Sequence, residues 1–178
     1  MTTRKPILNI ADAQVGRHMS QGAVFEVRNS PLAETLGAKL LSSNLTTVPP
    51  GKAAFPFHHH YATEEHFFIV RGQGVLRFGS EQYPVKPGDY IVTLCGGAEL
   101  AHQLINTGEE ELVYLAISNN AAPEVIGYPD SQKTGVLAQP WGTEGGLQRF
   151  LVPDGQRDFE GYWTGEDGRQ VQEILNKK

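Results

Sequence analysis

Apolar and polar residues alternate with a period of two through most of the middle of the chain. This is the spacing of strands that turn one face to a core. Ala23-Val24-Phe25-Glu26-Val27-Arg28 reads as the first such strand. Pro31 to Leu36 then has the composition of one helical turn stopped by Gly37. From Ala38 to Val48, Leu40, Ser42, Asn44 and Thr46 alternate with Lys39, Leu41, Ser43, Leu45 and Thr47, a strand ended by Pro49-Pro50-Gly51. Strands are expected next over 55–60 and 64–71, and then from Val75 to Phe78 with Leu76 and Phe78 turned inward. Gly79-Ser80-Glu81-Gln82 is a hairpin turn leading to a strand at Tyr83 to Val85. After the turn Pro87-Gly88-Asp89, Tyr90 to Leu94 reads as a buried strand, and Cys95 to Glu99 as a rim loop. His102 to Asn106 and Leu112 to Ser118 complete the series. Short strands parted by Gly and Pro turns predict an all-β chain built as a double-sheet jelly roll.

The ends are less regular. Residues 1–20 read as a weakly structured arm with Ile7-Leu8-Asn9-Ile10 as a short edge strand. Ala121 to Gln139 reads as loop with a turn at Tyr128-Pro129-Asp130, Leu147 to Val152 as one more strand, and Gln170 to Lys178 as a short helix. The 178 residues suffice for one domain with its own core. They divide into an N-terminal arm with leading strands (1–44), a barrel core (45–118) and a C-terminal extension packing on it (119–178).

The net charge of −5 is spread without a basic stripe, so nucleic acid is not an expected partner. A single cysteine, Cys95, excludes an intrachain disulfide framework and suits a reducing compartment. No apolar stretch follows the basic start, so neither a signal peptide nor a membrane span is expected, and the cytoplasm is the expected location. Edge strands left by a small barrel need covering, and the N-terminal arm with Trp141, Tyr162 and Trp163 offers the material. A homodimer is therefore expected.

The chemistry gathers between Gly51 and Gly72. In a strand His58 and His60 share one face while His59 takes the other, and a turn at Tyr61-Ala62-Thr63 returns Glu64 or Glu65 beside the two imidazoles. Buried imidazoles beside a carboxylate desolvate one another unless a cation uses their lone pairs. His58-x-His60, four residues to Glu65 and six more to Gly72 resembles the first motif of the cupin superfamily. Pro87-Gly88-Asp89 with His102-x-x-x-Asn106 resembles its second, with a longer interval before His102. Pro56-Phe57-His58-His59-His60, Asn106-Thr107-Gly108 and Tyr128-Pro129-Asp130-Ser131 also resemble a subgroup of small single-domain bacterial cupins.

The resemblance implies a cupin double-stranded β-helix with short terminal extensions. It also implies one divalent transition metal (Fe, Mn, Ni, Co or Zn) on His58, His60, Glu65 and His102. Spacing to Gly72 favours Glu65 over Glu64, which becomes a turn residue or an outer acceptor. His59 and His66 fall on the faces away from the ligands, with surface or packing roles, and His18 is assigned none. Asn106 either orients the site or closes a turn. Arg77 is out of phase with Leu76 and Phe78 and faces outward.

The inferred lining is Phe57, Phe67, Ile69, Leu76, Phe78, Tyr90 or Val92, and Leu104. It is apolar and suits a small, weakly polar, oxygen-bearing substrate better than a sugar phosphate. A metal-dependent dioxygenase is the leading expectation. A metal-dependent isomerase or lyase, or a non-catalytic small-molecule-binding cupin, is the alternative.

Overall fold

The computed structural model describes residues 5–138 and 149–154. Among the described residues thirteen strands follow in chain order: β1 (Arg17–Gln21), β2 (Phe25–Pro31), β3 (Leu41–Val48), β4 (His59–His60), β5 (Glu65–Arg71), β6 (Gly74–Phe78), β7 (Glu81–Val85), β8 (Tyr90–Thr93), β9 (His102–Ile105), β10 (Leu112–Asn119), β11 (Glu124–Tyr128), β12 (Lys133–Leu137) and β13 (Arg149–Pro153). The only helical pieces among the described residues are three short 3-10 turns, at Ile10–Asp12, Ala98–Leu100 and Pro129–Ser131. No helix among them is long and apolar enough to cross a membrane.

One layer is a six-stranded sheet in the order β1-β2-β3-β10-β5-β8. The other is made of β7-β6-β9 and β4-β11-β12-β13, joined where His58 and His102 pair across the gap between β4 and β9. Every ladder between the named strands is antiparallel, so hairpins and longer returns carry the topology without helical crossovers. The layers close on Val27, Val48, Phe67, Ile69, Leu76, Val85, Leu104, Leu112 and Tyr114, contributed from both sides. The fold is the all-β jelly roll that the alternation predicts.

Strand parity on β5 is decisive. Phe67 and Ile69 are buried while Phe68 between them is exposed, so Glu65, in phase with them, enters the barrel from its end. Gly72 closes β5 at φ +81, and a Cβ there would strike the backbone of Glu111 and Leu112. The stretch before β3 is a hydrogen-bonded turn rather than a helix, with the Leu36 amide donating to the Leu32 carbonyl at 3.1 Å.

Four expectations need correction. Ile7 to Ile10 is not a strand: Asn9 caps the 3-10 turn at Ile10–Asp12, its side chain accepting from the Ala11 amide at 2.9 Å. The arm is also more ordered than its composition implies, because β1 pairs along its length with β2 of the same chain. The stretch read as loop from Ala121 to Gln139 holds the hairpin β11–β12, whose 3-10 turn at Pro129–Ser131 falls on the turn expected at Tyr128-Pro129-Asp130. Finally, β8 is an edge strand with Tyr90 and Val92 facing outward. The β-branched run that reads as buried sits on a sheet margin, a placement composition does not encode. The expectations for Trp141, Tyr162, Trp163 and a helix over Gln170–Lys178 lie outside the described residues.

Candidate metal centre

His58 and His102 face each other as a hydrogen-bonded pair. The His58 amide donates to the His102 carbonyl at 3.2 Å, and the His102 amide donates back to the His58 carbonyl at 2.8 Å. Directly opposed residues of an antiparallel pair project to the same face, so both imidazoles enter the barrel together. His60, two residues on, joins them, with its carbonyl held by the Gly96 amide at 2.7 Å. The turn 61–63 then hands the chain to β5, whose first residue, Glu65, returns a carboxylate to the same space.

All four side chains converge. One ligand atom from each of His58, His60, Glu65 and His102 lies within 4.8 Å of the others. Glu65 Oε2 is the meeting point, at 2.9 Å from His102 Nε2, 3.4 Å from His60 Nε2 and 3.9 Å from His58 Nε2. Glu64 turns outward and accepts from His66 Nε2 at 2.8 Å, which separates the two adjacent glutamates.

The electrostatics follow from burial and from this crowding. Burial, with His102 and His60 close by, pushes the His58 imidazole down to about 3, so it stays neutral with its Nε2 lone pair open. Its Nδ1–H donates to the Pro56 carbonyl at 2.8 Å, which fixes that tautomer. Burial also opposes charge on His60, yet Glu65, and behind it Glu124, raise its pKa. Burial pushes Glu65 up, but the His102 hydrogen bond and the adjoining His60 hold it well below the carboxylate range. Tyr114, two per cent exposed behind Phe67, is raised by burial and by the Glu65 charge.

The residues fit a metal ion. Ligand atoms about 2.1 Å from a shared ion stand roughly 3 to 4 Å apart, and the three separations at Glu65 Oε2 fall in or close to that range. His60 carries the clearest sign: it is buried, and neither ring nitrogen has a hydrogen-bond partner among the described residues. An orphaned buried imidazole costs free energy that a cation on Nε2 relieves. Three imidazoles and a carboxylate suit a divalent transition metal.

Aromatic rings wall the cluster. Phe67 lies 5.7 Å from the His102 ring, centroid to centroid, and Tyr128 stacks over His58 at 6.2 Å. Phe57, Leu76 and Leu104 are buried as expected, whereas Tyr90 and Val92 leave the lining. Arg77 faces outward, donating to both carboxylate oxygens of Asp130 at 2.6 and 2.8 Å with its guanidinium over Phe57.

The remaining polar candidates are structural. Asn106 closes a turn: Nδ2 donates to the Val48 and Glu110 carbonyls and Oδ1 accepts from the Gly108 amide. His59 is buried, with Nδ1 donating to the Gly96 carbonyl at 2.8 Å and its ring packed against Gly127, where any Cβ would overlap the imidazole. His66 faces outward.

Sequence reasoning missed Glu124. Its carboxylate, two per cent exposed, accepts from the Tyr61 amide at 3.1 Å, the Ala62 amide at 3.2 Å and the Thr63 hydroxyl. The available signal was an acid opening the short β-branched and aromatic run Glu124-Val125-Ile126-Gly127-Tyr128.

A model of the cupin domain, Cupin_2, matches residues 44–118. Over 70 residues the chain is 33% identical to an oxalate-binding protein of Thermotoga maritima, covering 39% of this chain and 54% of that protein. The chain spans about half the length of the curated relatives it matches. Among solved structures, one described as a candidate sugar phosphate isomerase of Acidithiobacillus ferrooxidans superposes with a TM-score of 0.71 at 28% identity, over 86% of this chain and 96% of that one. A predicted oxalate decarboxylase of Thermotoga maritima gives 0.54 at 26% identity, over 64% and 97%.

Proposed function

We propose, for a chain that belongs to the cupin superfamily through its domain at residues 44–118, that it is a divalent-metal-dependent enzyme acting on a small, weakly polar, oxygen-bearing substrate. Dioxygenase chemistry is the leading reading. The observation that carries the proposal is the convergence of three imidazole Nε2 atoms on one Glu65 oxygen, with His60 buried and unpartnered. Held by these residues, the ion supplies a Lewis acid with positions left over for substrate oxygens. The protein supplies the rest. His58 keeps its proton on Nδ1 against Pro56 and so keeps Nε2 free, while Phe67 and Tyr128 present an apolar wall to whatever the metal binds.

A second reading is favoured by a specific likeness. The named relatives include an oxalate-binding protein and a predicted oxalate decarboxylase, and a compact dicarboxylate would chelate through the same open positions. The sugar phosphate isomerase likeness offers a third substrate class, against which the aromatic wall argues.

Elemental analysis of untagged protein, prepared without chelators, is the first test. About one equivalent of a transition metal per chain is expected, as for four converging protein ligands. The loaded protein is then offered catechols, β-diketones and oxalate while O2 uptake, CO2 release and heat of binding are followed. O2 uptake with an organic substrate supports the dioxygenase; CO2 release from oxalate, or saturable oxalate binding without turnover, replaces it with the second reading. A homodimer belongs to this proposal as well, and a monodisperse monomer in light scattering rejects that part.

A further inference from the structure

We propose that Glu124 is the outer partner of His60, accepting its Nδ1–H and so presenting the Nε2 lone pair to the metal. The inference rests on the metal reading above and extends it to a residue outside the ligand set. Three observations carry it.

First, His60 Nδ1 is buried and lacks a hydrogen-bond partner among the described residues, and the group facing it there is Glu124 Oε2 at 3.9 Å. The other two cluster histidines turn Nδ1 toward backbone carbonyls, of Pro56 at 2.8 Å and Leu100 at 3.5 Å, so only His60 is left to a side chain.

Second, Glu124 is buried with three neutral donors, two amides on Oε1 and the Thr63 hydroxyl on Oε2. A buried carboxylate is costly, and pinning a turn does not by itself demand one. What a carboxylate has and an amide side chain lacks is the ability to accept at both oxygens. Each oxygen has two lone pairs, so Oε2 retains capacity beyond Thr63.

Third, the position is built for coupling. Glu124 opens β11, whose Ile126 pairs with His60 in the sheet, and its carboxylate holds the turn that carries the chain from His60 to Glu65. A carboxylate behind a ligating imidazole fixes its tautomer and orientation and raises its basicity as a donor.

The test compares Zn(II) and Co(II) affinity by chelator competition in the wild type, Glu124→Gln and Thr63→Val, with thermal unfolding of each metal-free protein alongside. Glutamine keeps the size and can still accept from Tyr61 and Ala62, but it turns an N–H toward His60 Nδ1. Metal affinity in Glu124→Gln is expected to fall roughly 10- to 100-fold with the metal-free unfolding midpoint little changed. Thr63→Val removes a turn contact without touching the acceptor; it is expected to lower the midpoint and leave affinity near wild type. Unchanged affinity in Glu124→Gln, or equal losses in both variants, overturns the proposal and leaves Glu124 a turn anchor.

One measurement needs no variant. In the Zn-loaded wild type the His60 Nδ1–H is expected as a downfield proton protected from solvent exchange in NMR spectra, and exchange as fast as that of a free imidazole overturns the proposal. A wild type that takes up no ion sinks the metal reading itself, a distinct result from tight binding that ignores residue 124.

Discussion

Two histidine–glutamate clusters lie on opposite faces of β5, and they differ in whether they are complete. On the outer face His66 donates and accepts through both ring nitrogens, at 2.8 Å to Glu64 and 2.6 Å to the Tyr90 hydroxyl. On the inner face His60 has neither nitrogen bonded among the described residues, and three imidazoles crowd one oxygen of Glu65. The residue types are nearly the same; strand parity and burial separate a finished hydrogen-bond chain at the surface from a donor set arranged so that it could hold a cation. The lesson is that a candidate metal centre is recognised by what its residues leave unsatisfied, not by the presence of His and Glu.

The largest effect should come from the inner cluster. His60→Ala or His102→Ala should reduce bound metal from about one equivalent to a small fraction, whereas Glu64→Ala should leave it near one. Elemental analysis distinguishes the two, and equal metal loss in Glu64→Ala would break the comparison. In the wild type, metal at about 100 times its dissociation constant should add roughly 2.7 kcal/mol to stability, a gain absent in His102→Ala.

Neighbouring phenylalanines on β5 put the same contrast in packing terms. Phe67 is buried against His102 and Tyr114, while Phe68 is 41% exposed across from Tyr90. Phe67→Ala should cost about 3 to 5 kcal/mol in denaturant unfolding. Phe68→Ala should cost under about 1 kcal/mol. Similar losses would mean that the outer face of β5 is covered by something else.

The reach of sequence reasoning follows the same division. Parity put His58 and His60 on one face and Phe67 and Ile69 inside, because a period of two is written directly into the chain. The set of four converging side chains was legible through the motif resemblance, since spacing by itself paired His58 with His60 and left Glu64 and Glu65 both open. Glu124 was not, because the segment holding it reads as loop: a strand with an acid at one end and a glycine at its fourth place lacks the usual signature. Yet Gly127 is there to admit the His59 ring, and Glu124 to hold 61–63, so both exceptions answer to the turn that builds the site. Tyr90 and Val92 failed for a different reason, since whether a strand is central or at an edge is decided by partners remote in sequence.

His59 lies between two inner ligands but faces the β11 side, and Gly127→Ala tests how firmly that contact sets the cluster. The added methyl would overlap the imidazole, forcing apart β4 and β11 where His59 and Gly127 pair. Overpacking of this kind should cost about 1 to 3 kcal/mol in chemical denaturation, with weakened metal binding because His60 moves with its strand. Unchanged stability with unchanged metal affinity would show that the His59 ring can leave its seat without disturbing the inner face.

The smallest effect belongs to the outer cluster. His66→Ala removes two hydrogen bonds, but both partners are solvent-accessible: Glu64 is 45% exposed at its side chain, and Tyr90 is exposed. Water replaces what the imidazole gave them, so the net change should stay within about 0.5 kcal/mol. Bound metal should be unaltered in the same variant. A stability loss well above that bound would sharpen the comparison in an unexpected direction: it would mean that the Glu64–His66–Tyr90 chain tethers the edge strand β8 to β5. The outer face would then support the inner one by holding Thr93, whose hydroxyl donates to the Glu65 carbonyl at 3.2 Å, in register behind the ligand carboxylate.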